Sequence, residues 1–199
     1  MIGQINLDSE FGRALKSIAQ RPDVFNVCEV GTWNGRGSTV CIYEGMRGNP
    51  SKHLYSIEGD IDQYNLARGF WKETPNITLL HGTLHRKIMS REEVIYHPRF
   101  RYVSDHYRIH YENELQSVNS APLVEVPNCD AILLDGGEFS TEGDWEALFH
   151  NDLKVVMLDD NNVIKTNRIM NQLLRDSNWT CIRFEPNDRN GWSIFERKK

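Results

Sequence analysis

The chain has no excess of basic residues, few cysteines and no long apolar run, and each shortage narrows what it can be. Lysine and arginine total 23 against 28 acids, a net charge of −5, which argues against general binding to a polyanion such as nucleic acid. The four cysteines, Cys28, Cys41, Cys129 and Cys181, form no C-x-x-C pair, so zinc and dithiol redox chemistry lack their usual signature. Buried free thiols in a reducing compartment are expected instead. No stretch approaches a membrane-spanning length, and Met1-Ile2-Gly3-Gln4 has no basic n-region followed by an apolar one. A cytoplasmic chain without a membrane span is the expectation. No internal repeat or low-complexity segment interrupts it.

What the sequence does hold is organised around Asn26 to Thr39, where an apolar run ends in a Gly-rich turn and then opens a helix. Gly31 and Gly35 can take positive φ and bring the backbone close to a ligand, while Ser38 or Thr39 can cap the helix that runs to about Met46. A carboxylate at Glu29 could accept hydrogen bonds from a cationic or hydroxyl-bearing ligand. The turn has no Gly-Lys-Ser/Thr, which excludes a P-loop, and no G-x-G-x-x-G directly behind the strand, which excludes the dinucleotide fingerprint.

At 199 residues a single domain over 1–199 is expected. Apolar spacing predicts a leading helix from Asp8 to Ala19, capped by Asp8 or Ser9 and stopped by Pro22. Strands follow at His53–Ile57 and Ile77–Leu80, separated by a helix whose apolar face is Ile61, Tyr64, Leu66, Ala67, Phe70 and Trp71. Repeated β-α units imply a parallel sheet. The segment 84–128 is too long for a crossover and carries one helix, Ser104 to Val118. It reads as an acceptor-side insertion or lid, placed between strands 4 and 5. Alternation then resumes with a strand at Asp130–Leu134, a helix from Thr141 to about Phe149, a strand at Lys154–Leu158 and a helix at Val163–Leu174. Trp179–Phe184 and Trp192–Glu196 close the chain as a hairpin-length, antiparallel pair. The fold class is α/β, Rossmann-like.

Acids stand at four strand ends: Glu29, Glu58, Asp135 and the pair Asp159-Asp160. In an open α/β sheet ligands sit outside the carboxyl ends of the strands. Four acids on that rim repel one another unless something cationic binds, which points to a sulfonium, a metal ion, or both.

On these residues the chain resembles the class I S-adenosylmethionine-dependent methyltransferases. Glu29-Val30-Gly31-Thr32-Trp33-Asn34-Gly35 is similar to the family's E/D-x-G-x-x-x-G turn, which holds the amino-acid part of S-adenosylmethionine; Ser38 is expected among the cofactor-binding residues. Glu58, with Gly59 and Asp60, stands where the family places the acid that takes the ribose hydroxyls. His81-Gly82-Thr83 falls where members border the adenine. The resemblance implies a seven-stranded sheet, mostly parallel with the last strand antiparallel, and helices on both faces.

Leu134-Asp135-Gly136-Gly137-Glu138 and Leu158-Asp159-Asp160-Asn161 look like the metal-dependent O-methyltransferases, including those acting on sugars. The resemblance implies that Asp135, Asp159 and Asp160 hold a divalent cation (Mg²⁺, Mn²⁺ or Ca²⁺) and that the acceptor is a sugar or glycan hydroxyl, with a small phenolic or natural-product hydroxyl next. One position departs: three residues after Asp135 the family carries a His or Lys as base, and here it is Glu138. Glu138 could accept the proton itself, or be a fourth ligand and leave the base to His106, His110 or Lys165. The insertion gathers His85, His97, His106, His110, Tyr96, Tyr102, Tyr107, Tyr111, Arg99, Arg101 and Arg108, side chains that stack on sugars and bind hydroxyls. Without a ligand spacing, these also fit a solvated lid, and Arg189-Asn190-Gly191 fits a plain turn. A homo-oligomer and a non-catalytic cofactor-binding module are both compatible with the chain.

Overall fold

A computed structural model describes residues 3–100 and 105–198. Arg101, Tyr102, Ser104 and the side chain of His106, all named above, lie outside the described residues. Seven strands form one sheet in the order β3-β2-β1-β4-β5-β7-β6. The strands are β1 (Asn26–Val30), β2 (His53–Glu58), β3 (Ile77–His81), β4 (Ala131–Leu134), β5 (Val155–Asp159), β6 (Trp179–Glu185) and β7 (Trp192–Arg197). β1 to β5 pair in parallel, while β7 runs antiparallel between β5 and β6. The expected Rossmann-like sheet is what the chain forms.

Two apolar layers hold helices to its faces, because successive strand residues point to opposite sides. In β4, Ala131 and Leu133 join Phe11, Leu15, Ile42 and Trp192 under α1 (Glu10–Gln20) and α2 (Ser38–Met46). Ile132 and Leu134 join Trp145, Leu173 and Phe195 under α6 (Thr141–Leu148) and α7 (Ile164–Arg175). Both layers are buried, so these central strands read as continuous apolar runs. Helix α1 begins where Ser9 accepts from the Gly12 N–H and ends at Arg21, just before Pro22. Cys28, Cys41 and Cys129 are buried free thiols; Cys181 is half-buried.

Helix α3 (Ile61–Trp71) departs from its expected face. Only Ala67 and Trp71 are buried, whereas Ile61, Leu66 and Phe70 are exposed. The helix lies at the β2–β3 edge and is pinned through Trp71, whose indole N–H donates to the Gly35 carbonyl at 2.8 Å.

The insertion lies between β3 and β4, one strand earlier than expected, because only three strands precede it. It contains α5 (Asp105–Ser120) and a short α4 (Arg91–Ile95) that the apolar spacing did not reveal, since one turn is too short to show a period. Its signal was Ser90 and Glu93, which form a reciprocal capping box. The segment is also tied to the domain. Thr83 and the segment 122–124 exchange backbone hydrogen bonds of 2.8 and 3.0 Å as an isolated β-bridge, closing its neck. Met89, Val94 and Tyr111 pack with Phe139 and Ile164 as a third apolar cluster. Among the described residues no helix is long and apolar enough to cross a membrane.

Candidate active site

The carboxyl ends of β1, β2, β4 and β5 open into a cavity of about 750 Å³. Its floor is the β1 turn. Gly31 takes φ 96° and Gly35 φ 72°, and Trp33 joins them in the left-handed region at φ 50°. A Cβ on Gly31 would stand 2.2 Å from the Asp135 carbonyl oxygen, so the turns after β1 and β4 meet closely because that residue has no side chain. Gly31, Thr32, Trp33 and Ser38 line the cavity, as do Glu58, Gly59, Asp60, Gly82 and Thr83.

Glu29 does not line it. The residue is fully buried, and its carboxylate accepts from Ser38 Oγ (2.5 Å), Thr39 Oγ1 (2.7 Å) and Ser56 Oγ (2.5 Å). Since Ser56 has already given its proton to Glu29, the 2.5 Å contact between Thr32 and Ser56 runs with Thr32 as donor. Burial raises the Glu29 carboxyl above its ordinary range against the pull of these hydroxyls. The direct-ligand role expected for Glu29 is thus corrected: it ties β1, β2 and α2 together beneath the turn. The expected cap is corrected by the same contacts. Gly37 is the N-cap of α2, without a side-chain bond, and Ser38 and Thr39 turn inward to Glu29. Asn34 and Gly35 shape the turn from outside the cavity; Asn34 accepts from the Arg36 N–H at 3.0 Å. His81 also lies outside it, against Tyr64 and 3.3 Å from the Gly59 carbonyl.

At the end of β2, Glu58 accepts from the Trp33 N–H at 2.6 Å and the Asp60 N–H at 2.8 Å. Burial outweighs these bonds and pushes its carboxyl up to about 7. Glu58 therefore links the β1 turn to the cap of α3 while facing the cavity.

Across the cavity the acids after β4 and β5 converge. Oxygens of Asp135, Asp159 and Asp160 lie within 4.8 Å of one another, and three carboxylates are by type a suitable set for a hard divalent ion. Glu138 stands outside that cluster among the described residues, so the fourth-ligand alternative has no geometric basis. The three acids are already engaged, however. Lys165 Nζ donates to Asp135 Oδ1 at 2.8 Å and pairs with Asp160 Oδ2 at 2.6 Å. Arg189 donates to Asp159 Oδ1 at 2.5 Å, and Asn190 to Asp160 Oδ1 at 3.0 Å. A dication among these oxygens would have to displace the Lys165 ammonium from Asp135 and Asp160. The residues as arranged do not fit a resident metal. The repulsion expected of four acids on one rim is answered from within the chain.

This arrangement also removes Lys165 as a base. Burial works against its charge, but Asp135 and Asp160 hold its pKa above the ordinary lysine value, so its proton stays. Asp159 is raised by burial and by Asp135 and Asp160. Asp160 is held low despite burial, through Lys165.

A second cavity of about 600 Å³ is lined by Arg99, Tyr107, Glu138 and Ile164, and shares Arg189 and Asn190 with the first. Glu138 Oε1 accepts from the Ile164 N–H at 3.1 Å, and burial raises its carboxyl. His110 is exposed and lines neither cavity; Tyr111 is buried and donates to the Met89 carbonyl at 2.7 Å.

Several residues of the site escaped sequence reasoning. Glu114 of α5 accepts from the N–H groups of Glu138 (2.9 Å), Phe139 (2.8 Å) and Ser140 (2.8 Å), clamping the insertion onto the loop after β4. Glu114, Ser117 and Val118 make one wall of the first cavity, and Gly3 to Ile5 another. Asp144, also at the wall, is bonded to His85 at 3.0 Å. Because the Lys87 N–H occupies His85 Nδ1 at 2.9 Å, a neutral His85 carries its proton on Nε2, toward Asp144.

With this geometry the chain can be set beside known proteins. It overlays on an O-methyltransferase from Bacillus cereus in complex with SAH (TM-score 0.62, 13% identity, 99% of this chain and 84% of that one). It overlays similarly on the O-methyltransferase TomG from Streptomyces achromogenes, involved in tomaymycin synthesis, in complex with SAM (0.61, 13%, 98% and 82%). An SAH-bound methyltransferase from Podospora anserina gives 0.60 at 14% identity, over 95% and 78%. The fold is the Rossmann-like methyltransferase fold. No family model and no curated protein matches the sequence.

Proposed function

We propose that this protein is a single-domain S-adenosylmethionine-dependent O-methyltransferase whose acceptor is a sugar or small-glycan hydroxyl, with a small phenolic or natural-product hydroxyl as the second reading. The observation that carries the proposal is the cavity of about 750 Å³ at the strand ends, with the close-approach turn at Gly31 on its floor and Glu58 on its wall. Fold similarity to SAM- and SAH-bound O-methyltransferases supports it.

When bound, S-adenosylmethionine supplies an electrophilic methyl on a sulfonium. The Gly31-Thr32-Trp33 backbone receives the amino-acid part, Glu58 accepts from the ribose hydroxyls, and Gly82-Thr83 border the base. The acceptor enters through the second cavity, where Arg189 and Asn190 lie at the junction with the first. Glu138, buried enough to have a raised pKa, takes the proton of the acceptor hydroxyl. The acids that Lys165 and Arg189 hold in place accept hydrogen bonds from neighbouring hydroxyls and orient the reacting oxygen. The net charge of −5 disfavours a nucleic-acid acceptor.

Calorimetry with S-adenosylhomocysteine tests the cofactor, and methyl transfer from labelled cofactor to a panel of glycans and phenols tests the reaction. Absence of S-adenosylhomocysteine binding refutes the proposal. Binding without turnover across a broad panel supports a non-catalytic module instead.

A further inference from the structure

The carboxylates Asp135, Asp159 and Asp160 have the composition of a divalent-metal site, but their geometry is that of a closed ion-pair cluster. Lys165, 9% exposed, stands in the first turn of α7, and that turn is fixed to the end of β5 at two points. Thr166 Oγ1 donates to the Asp159 carbonyl at 2.6 Å, and Asn167 Nδ2 to the Asn161 carbonyl at 2.8 Å. Asn161 is itself buried, bonded to the Leu158 carbonyl at 3.0 Å and to the Ser193 hydroxyl at 2.6 Å. The ammonium is therefore delivered between Asp135 and Asp160 by a rigid helix start and not by a side chain reaching in from solvent. Arg189 arrives from the β6–β7 turn, with its guanidinium over the Phe11 ring, to take Asp159.

We infer that this protein binds no divalent ion at the acid cluster, and that Lys165 is a positioning residue whose ammonium occupies the place a metal would take. Two cations covalently part of the chain neutralise two of the three acids and fix their orientation toward the cavity. The geometry of the cluster stands without the methyltransferase reading; only the turnover arm of the test below rests on it.

The test uses the full chain, stripped with chelator, and Mn²⁺ as the probe. Electron paramagnetic resonance on the wild type is expected to show all Mn²⁺ free up to about 1 mM, the weak end of carboxylate-held sites, with a melting temperature that the ion does not change. Lys165→Ala opens the three carboxylates and is expected to gain one Mn²⁺ site and a melting temperature that rises with Mn²⁺, while Lys165→Arg stays indifferent. Stoichiometric Mn²⁺ on the wild type, lost in Asp135→Asn, overturns the inference, and so does a folded Lys165→Ala that gains no site. If that variant does not fold, the wild-type titration decides alone. Where methyl transfer is measurable, it is expected to be undiminished in EDTA; loss in EDTA with recovery on Mg²⁺ overturns the inference. Calorimetry with S-adenosylhomocysteine separates failure of this inference from failure of the function proposed above.

Discussion

If Glu58 takes the ribose hydroxyls as proposed, cofactor binding is expected to depend on pH. Its carboxyl sits at about 7 in the free protein because burial outweighs the two backbone N–H bonds it accepts. A ribose diol donates both hydroxyls to a carboxylate, whereas the protonated acid gives up one acceptor oxygen to its own proton, so binding draws on the ionised fraction, about nine-tenths at pH 8 and about one-tenth at pH 6. Affinity for S-adenosylhomocysteine is therefore expected to fall about tenfold between those two values, ~1.4 kcal/mol. In the free protein the sign reverses. The fold favours the neutral form, so Glu58 costs stability as pH rises from its ordinary 4.5 through about 7, by up to ~3 kcal/mol. Calorimetry at pH 6, 7 and 8 in buffers of different ionisation enthalpy reads both the affinity and the proton released. A flat affinity across that range, or an unchanged slope in Glu58→Gln, refutes the reasoning.

Other perturbations test the rest of the structure. Gly31→Ala places a methyl 2.2 Å from the Asp135 carbonyl oxygen at a positive φ and is expected to cost at least ~2 kcal/mol in denaturant unfolding and to abolish S-adenosylhomocysteine binding. Glu114→Ala strands three backbone N–H groups; a loss of ~2–4 kcal/mol is expected, with faster amide exchange confined to residues 138–140 and α5. Phe11→Ala removes a fully buried ring stacked 4.7 Å from Trp192 and is expected to cost ~3–5 kcal/mol, with little effect on the cofactor site beyond that. Glu138→Gln is expected to lower turnover at least ~10²-fold without changing S-adenosylhomocysteine affinity; near-normal rates would move the proton-accepting role elsewhere.

Most of the fold was legible because the signals are local. The continuous apolar run of β4, the Ser9 cap and the Asn190-Gly191 turn each act within a few residues, and strand and helix bounds followed to within about two residues. The positive φ of Gly31 and Gly35 was likewise readable from the turn itself. What could not be read were pairings at long sequence separation. Glu29 looks in sequence like a ligand-facing acid, and only the approach of Ser56, a strand away, shows that its carboxylate is spent internally. Lys165 is 30 residues from Asp135, though near Asp160 in the chain, and Arg189 is 30 residues from Asp159, one on a helix start and one in a turn that explains itself without a partner. Glu114 sits on a helix of weak amphipathicity, with no sequence mark of the three N–H groups it serves. The count of acids was right; the source of the neutralising charge required the fold.

Helix α5 fronts both cavities: Tyr107 faces the second, and Ser117, ten residues and about 15 Å further along, faces the first. The insertion is thus not an interchangeable attachment. Grafting another loop in place of 84–128 to change the acceptor would also remove a wall of the cofactor cavity and the Glu114 clasp on the loop that carries Glu138. Under the proposed function, acceptor choice is better altered by single side chains on the helix already there than by exchange of the segment.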